Sequence, residues 1–248
     1  MLIEKYKNIV IKIGSNTLMY MFEHNLFLSF VEDIHCIMKF ARITIVTSGA
    51  IAMARTELNI QKPSNIPQKQ ALSSIGQAQL MHKYNLEFQK YDINVGQILL
   101  TSKDISSPQA LRNLQHTITA LRKLNAIPII NENDALATKE IKIGDNDTLS
   151  AYIAKAVEAD LLIILTDVKG VYTLHPKNAK AKIITHTGIL ETEQFEDEEL
   201  TQFGSGGMVT KVKAGNIALK NRCHAIIANG RKSNPLQSIT EGQCTMFI

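Results

Sequence analysis

The chain has 248 residues, 45% of them hydrophobic and 20% charged, with a formal net charge of +4. That balance excludes long disordered tracts, and a chain of this size buries a core without covalent staples. Its three cysteines, Cys36, Cys223 and Cys244, are odd in number and lack any CxxC spacing, which argues against a disulfide framework or zinc knuckle and for a reducing compartment.

Strand and helix signals alternate along the chain. A β-branched run closes at Val10–Ile13, with Lys12 inside it, and leads into Gly14-Ser15-Asn16-Thr17. Leu26–Arg42 has amphipathic helical spacing, Ile43–Thr47 reads as a compact strand, and Ser48-Gly49-Ala50 precedes another helical stretch. Pro63 and Pro67 bracket a polar loop before helical spacing over Gln70–Gln89 and a strand over Ile93–Leu100. Pro108 opens a helix to about Leu124, as proline does at first helical positions, and Ile127–Ile130 is a buried strand. Ala137–Ile143 alternates like one arm of a hairpin, Thr148–Ala159 is helical and Leu161–Leu165 is a pure apolar strand. Val171–Tyr172 and Lys182–Thr185 are shorter strand candidates. Gly204–Gly207 leads into a helix over Thr210–Asn221, and Ala225–Ala228 and Thr245–Ile248 are late strands. Strands written as continuous apolar runs between helices predict an α/β protein, a three-layer αβα sandwich around a mostly parallel central sheet.

No apolar run reaches the roughly 18–20 residues of a membrane span, and the N-terminus lacks the separate apolar block of a signal peptide. A cytoplasmic location with no membrane partner is expected. Six acids and no Lys or Arg fall between Glu191 and Glu199, leaving 27 basic against 17 acidic residues elsewhere, a surplus that suits an anionic ligand and equally suits scattered surface lysines. With no dense basic run or RNA-binding signature, nucleic acid is not expected as a partner.

In parallel sheets ligands gather at the carboxyl ends of strands. Four such ends carry small polar or acidic residues: Gly14–Thr17, Thr47–Ala50, Asn131-Glu132-Asn133-Asp134 and Thr166-Asp167. Lys12 reads either as an edge-strand lysine that blocks aggregation or as a lysine aimed at phosphate, with the N–H groups of Gly14 and Ser15 beside it. Ser205-Gly206-Gly207-Met208-Val209-Thr210-Lys211 reads either as a flexible glycine loop or as a phosphate-approaching backbone at a helix start. Lys211 in that first turn is unfavourable to the helix itself unless a polyphosphate binds there. Neither GxxxxGK[ST] nor GxGxxG is present. In Gly144-Asp145-Asn146-Asp147-Thr148, Asp147 and Thr148 are cap candidates, yet two aspartates around an asparagine exceed what a cap needs. The seven histidines are dispersed and form no metal-binding pair.

Taken together, VIKIGSN, VTSGAIAMAR, QALSSIGQAQLM, PIINENDALATKEIKIGDNDTLSA, LTDVKGVYT and GSGGMVTK resemble the amino acid kinase family, and within it the glutamate 5-kinases. The resemblance implies one amino acid kinase domain over 1–248, whose N-terminal lobe (about 1–159) binds the amino acid and whose C-terminal lobe (about 160–248) binds ATP. It also implies a short form without the C-terminal PUA domain that many relatives carry. Carried over by motif, Lys12 and Lys211 neutralise the transferring phosphoryl group and Asp147 organises them. Ser48, Asp134 and Asn146 match the glutamate-binding positions. Lys12, Thr166-Asp167 and Ser205–Lys211, through Gly206, Gly207, Met208, Val209 and Thr210, match the ATP-binding segments. The implied cofactors are ATP and Mg2+. The implied partners are L-glutamate, feedback inhibitor L-proline, other copies of the chain in a dimer or tetramer, and a glutamyl phosphate reductase that takes the product.

The chemistry agrees with that reading. A glutamate side-chain carboxylate, with an ordinary pKa of ~4.3, is already ionised at neutral pH and needs no general base. Its attack on ATP brings two anions together, so charge neutralisation and in-line positioning are the main tasks. Two other readings stay open at this point: an acid kinase of the same fold with a different acceptor, and a non-catalytic nucleotide or anion sensor.

Overall fold

The computed structural model describes residues 3–61, 63–136, 145–174, 178, 180–192, 207–239 and 243–248. Eight strands among these form one sheet: β1 (Asn8–Ile13), β2 (Arg42–Val46), β3 (Asn94–Leu100), β4 (Ala126–Glu132), β5 (Leu161–Thr166), β6 (His186–Thr187), β7 (His224–Asn229) and β8 (Cys244–Phe247). The helices are α1 (Ser15–Glu23), α2 (Phe27–Met38), α3 (Ala50–Glu57), α4 (Ile66–Gln89), α5 (Ser102–Ser106), α6 (Pro108–Lys123), α7 (Asn146–Ala156) and α8 (Met208–Lys220).

The strand order is β3-β4-β2-β1-β5-β7-β8-β6, and every pairing is parallel except that of β7 with β8. All six residues of β1 and of β5 are buried, as expected of strands covered on both faces. Side-chain alternation sends Ile9, Ile11, Ile163 and Ile45 into one apolar cluster with α1, α2, α3 and α4. It sends Val10, Val46, Leu162 and Ile227 into a second cluster with α6, α7 and α8. The three-layer αβα sandwich is therefore as expected.

Local chemistry starts and stops these helices. Asn65 Oδ1 accepts from Gln68 N at 2.9 Å ahead of α4, and Ser107 Oγ accepts from Ala110 N at 3.2 Å ahead of α6, each with proline in the first positions. Asn25, Asn59, Asn125, Glu158 and Arg222 take positive φ just after helices, where the αL residue that closes a helix sits.

Several boundaries differ from expectation. The helix expected to reach Arg42 ends at Met38, because Arg42 already pairs with β1. Of the short strands expected at Val171–Tyr172 and Lys182–Thr185, only a Tyr172–Ile183 bridge forms, and the paired segment is instead His186–Thr187. The hairpin arm at Ala137–Ile143 lies outside the described residues, as do Ser205, Gly206 and most of the acidic stretch. Among the described residues, no helix is long and apolar enough to cross a membrane.

Candidate active site

β1 lies between β2 and β5, where chain connections run off to opposite sides of the sheet. A crevice opens at such a switch point, at the carboxyl ends of the strands. The cleft found there has a volume of about 370 Å3. Its walls come from all four strand ends singled out by sequence and from the start of α7 and Lys211 of α8.

Lys12 is not an edge lysine, since β1 is paired on both sides, Lys12 standing opposite Val46 and Ile164. It shares a face with Val10, toward α7 and α8. There its Nζ lies 2.5 Å from Asp147 Oδ1, while Lys211 Nζ lies 3.2 Å from Asp147 Oδ2. Lys12, Lys211 and Asp147 are exposed by only 6%, 7% and 0%, so the contacts form in a low-dielectric setting where charge pairing is strong. Thr210 Oγ1 adds a hydrogen bond to Asp147 Oδ2 at 2.8 Å. Burial pushes the Asp147 carboxyl upward, but the charges of Lys12 and Lys211 outweigh it and hold it at about 2. For Lys211 burial wins: its pKa is lowered despite Asp147, and the nearby charge of Lys12 adds to the lowering.

Four helices begin at this cleft. Three of them, α1, α3 and α8, start after Gly14, Gly49 and Gly207 with no side-chain cap. Their first N–H groups are suited to an anion, with the positive ends of the helix dipoles behind them. Gly49 has φ 103°, a conformation other residues rarely adopt, and α4 crosses so near α3 that a Cβ on Gly76 would stand 1.8 Å from Ala50 O. The fourth helix, α7, is capped by Asp145, whose Oδ1 accepts from Thr148 N at 2.6 Å. The cap is thus Asp145 and not Asp147 or Thr148, which leaves Asp147 for the lysines.

The other candidates fall on two sides of this cluster. Asn146 Nδ2 lies 2.6 Å from Ser48 Oγ, 2.9 Å from Thr47 O and 3.0 Å from Asn131 Oδ1, joining the ends of β2 and β4 to the start of α7. Asp134 lines the same wall. Opposite, Thr166 Oγ1 donates to Asp167 Oδ1 at 3.1 Å. Met208 and Val209 begin α8 with partly buried side chains packed against the apolar cluster.

Sequence reasoning missed Asn131 and Gln77 as supports: Asn131 Nδ2 donates to the buried Gln77 Oε1 at 2.8 Å and so fixes the acceptor that meets Asn146. It also missed Arg231, whose Nη2 lies 3.6 Å from Asp167 Oδ2 and whose guanidinium covers the Tyr20 ring. The strand-end rule finds Arg231 once it is applied to β7, which ends at Asn229 and is followed by Gly230-Arg231.

No group of three metal-ligating side chains occurs among the described residues. The Asp147 oxygens face the lysines and Thr210. This donor set fits magnesium carried on phosphate oxygens and water rather than a protein cage.

Two solved structures share the architecture. A carbamate kinase from Giardia lamblia bound to AMP-PNP matches with a TM-score of 0.65 over 99% of this chain and 100% of its own. A UMP kinase from Ureaplasma parvum matches with a TM-score of 0.64 over 97% of this chain and 98% of its own. At 16% identity these likenesses show the fold, that of amino acid kinases. The amino acid kinase family matches over residues 7–229. Glutamate 5-kinase of Clostridium acetobutylicum is 38% identical, covering 99% of this chain and 97% of its own length. Glutamate 5-kinase of Pelagibacter ubique is 40% identical, covering 100% of this chain and 70% of its own. The chain belongs to the amino acid kinase family, in the branch of the glutamate 5-kinases.

Proposed function

We propose that the chain transfers the γ-phosphoryl group of ATP to the side-chain carboxylate of L-glutamate, forming L-glutamyl 5-phosphate and ADP as the first step of proline biosynthesis. The observation that carries this reading is the buried Lys12–Asp147–Lys211 cluster at the sheet's switch point, in a chain whose relatives are glutamate 5-kinases. A carboxylate oxygen attacks the γ-phosphorus. The new O–P bond forms as the bond to the bridging oxygen breaks, and that electron pair leaves on ADP. No proton moves, so the cleft needs cations and no poised base.

Lys12 and Lys211 neutralise the charge on the transferring group, and Asp147 holds both ammonium groups in place before substrate arrives. Ser48, Asp134 and Asn146 hold glutamate, with Asp134 as the partner of its ammonium. Thr166, Asp167 and the segment Ser205–Lys211 hold ATP, its phosphates resting on the uncapped helix starts. On this reading residues 1–159 supply the amino-acid side and 160–248 the nucleotide side. Held through the ATP phosphates and water rather than by a protein cage, magnesium would supply further positive charge against the charge of the phosphates.

L-proline shares the α-carboxylate and an ammonium with glutamate but lacks the attacking group. It binds the overlapping site as a feedback inhibitor whose effect weakens as glutamate rises. The acyl phosphate is reactive and passes to a glutamyl phosphate reductase. The enzyme works in the cytoplasm as a homo-oligomer.

The decisive experiment supplies ATP, magnesium, hydroxylamine and single amino acids, and measures hydroxamate and ADP. Glutamate should give both, and aspartate, one methylene shorter, far less. Equal turnover of aspartate or N-acetylglutamate overturns the assignment of acceptor, and no hydroxamate with any acid overturns the enzyme.

A further inference from the structure

The amino ends of β1 and β2, at the far end of the sheet from the cleft, open onto a second cavity of about 250 Å3. Arg122, in the last turn of α6, reaches into it, and Arg42, the exposed first residue of β2, stands at its mouth. Alternation along β2 puts Arg42 and Thr44 on the same face, toward α6. Arg122 Nη2 donates to Asn8 Oδ1 at 2.9 Å and to Thr44 Oγ1 at 3.1 Å, both neutral acceptors. Its Nε is buried and has no partner. Asn8 is itself held by the carbonyls of Val157 and Glu158, so the acceptor cannot turn away.

No ion pair within 4.0 Å reaches Arg42 or Arg122 among the described residues. Glu158 lines the cavity but stays outside that range, on a backbone held at φ 51°. Gln115 walls the cavity with its amide fixed to Ala156 O at 2.6 Å. Burial and then the repulsion of Arg42 lower the Arg122 pKa to about 10. A half-buried guanidinium with a second cation as neighbour, an idle buried donor and no carboxylate within ion-pair range is suited to an anion.

We propose that this cavity is a second anion site, taking a dianionic phosphate group between the guanidinium groups of Arg122 and Arg42. The planar forks of two arginines match phosphate oxygens in number and geometry, and two positive charges match the dianion. The site is independent of the phosphoryl-transfer chemistry, since it uses none of the cleft residues.

The test is isothermal titration of the full chain with inorganic phosphate, at constant ionic strength set with chloride. The cleft is first saturated with magnesium and a non-hydrolysable ATP analogue. One binding event should persist in the blocked enzyme, and Arg42→Ala should weaken it by about tenfold, the loss of one charge-assisted contact. A parallel titration with glycerol 3-phosphate separates the sources: tighter binding assigns the site to a phosphate monoester, weaker binding to free phosphate. Arg122 also fastens α6 to the sheet, so Arg122→Lys, which keeps the charge and loses the fork, replaces its deletion and should weaken binding too. Absence of binding at about 10 mM phosphate, or equal binding by wild type and Arg42→Ala, overturns the proposal.

Discussion

The two ends of the sheet treat positive charge in opposite ways. At the carboxyl end, Lys12 and Lys211 converge on Asp147, at 2.5 and 3.2 Å. At the amino end, Arg122 and Arg42 share a cavity with no carboxylate within ion-pair range among the described residues. A built-in counter-charge fixes the cations before any ligand arrives, which is the preorganisation that catalysis of an anion–anion reaction requires. Without it the cations are placed but uncompensated, and an incoming anion is bound rather than transformed.

The sharpest way to break this contrast is Asp147→Ala, which makes the carboxyl end resemble the amino end. Two buried lysines lose their shared partner, so stability should drop by about 3–5 kcal/mol, and kcat should fall further than for either lysine alone. Urea unfolding together with the hydroxamate assay reads both; a wild-type midpoint and rate would mean that Asp147 organises nothing. Next in size, Lys12→Ala and Lys211→Ala should each lower kcat by on the order of 10²–10³. The glutamate KM should move less, because in the proposed mechanism both lysines address the phosphoryl group. Steady-state kinetics with wild-type turnover in either variant would remove that lysine from the mechanism.

Asn146→Ala tests the substrate wall instead of the charge cluster. Loss of its bond to Ser48 and of its proposed contact with glutamate should raise the glutamate KM by about tenfold, with a smaller change in kcat. An unchanged KM would detach Asn146 from substrate. The smallest effect is in pH. Burial lowers the Lys211 pKa from its ordinary 10.5, so the residue loses its charge on the alkaline side earlier than a free lysine does. The kcat profile should therefore fall before pH 10.5, and Lys211→Arg, if active, should extend it upward because arginine does not titrate there. On the acid side, Asp147, held at about 2, contributes stability that is present above the unfolded carboxylate range and is lost as pH falls toward that value.

Much of this arrangement was legible in the sequence because the physics is local. The runs Ile9–Ile13 and Leu161–Leu165 are apolar on both faces, which only a covered parallel strand tolerates, and Lys12 stands out because it interrupts one of them. The glycine before α8 and the polar strand ends were legible for the same reason. What stayed hidden depends on convergence between distant elements. The division of labour between Asp145 and Asp147 is invisible until α7 is placed beside α8, since either residue suits a cap. Gln77 lies on a helix face like any amide until Asn131 meets it from β4. Arg122 resembled an ordinary basic residue at a helix C-terminus, and only the packing of α6 over Asn8 and Thr44 shows it turned inward. The strand predicted over Lys182–Thr185 gave way to β6 at His186–Thr187 because this segment sits at the sheet's edge, where pairing is set by β8 and not by its own pattern.

The uncapped starts of α1, α3 and α8 have a consequence for the lifetime of the protein in a cell. In the proposed mechanism the nucleotide phosphates rest on these helix donors, so the nucleotide binds the folded chain and not the unfolded one. Occupancy at a hundred times the dissociation constant then adds about 2.7 kcal/mol to folding. The population open to proteases falls by about a hundredfold under the same condition. Starved of nucleotide, the chain would be degraded faster, so its abundance would follow the supply of the ligand it consumes.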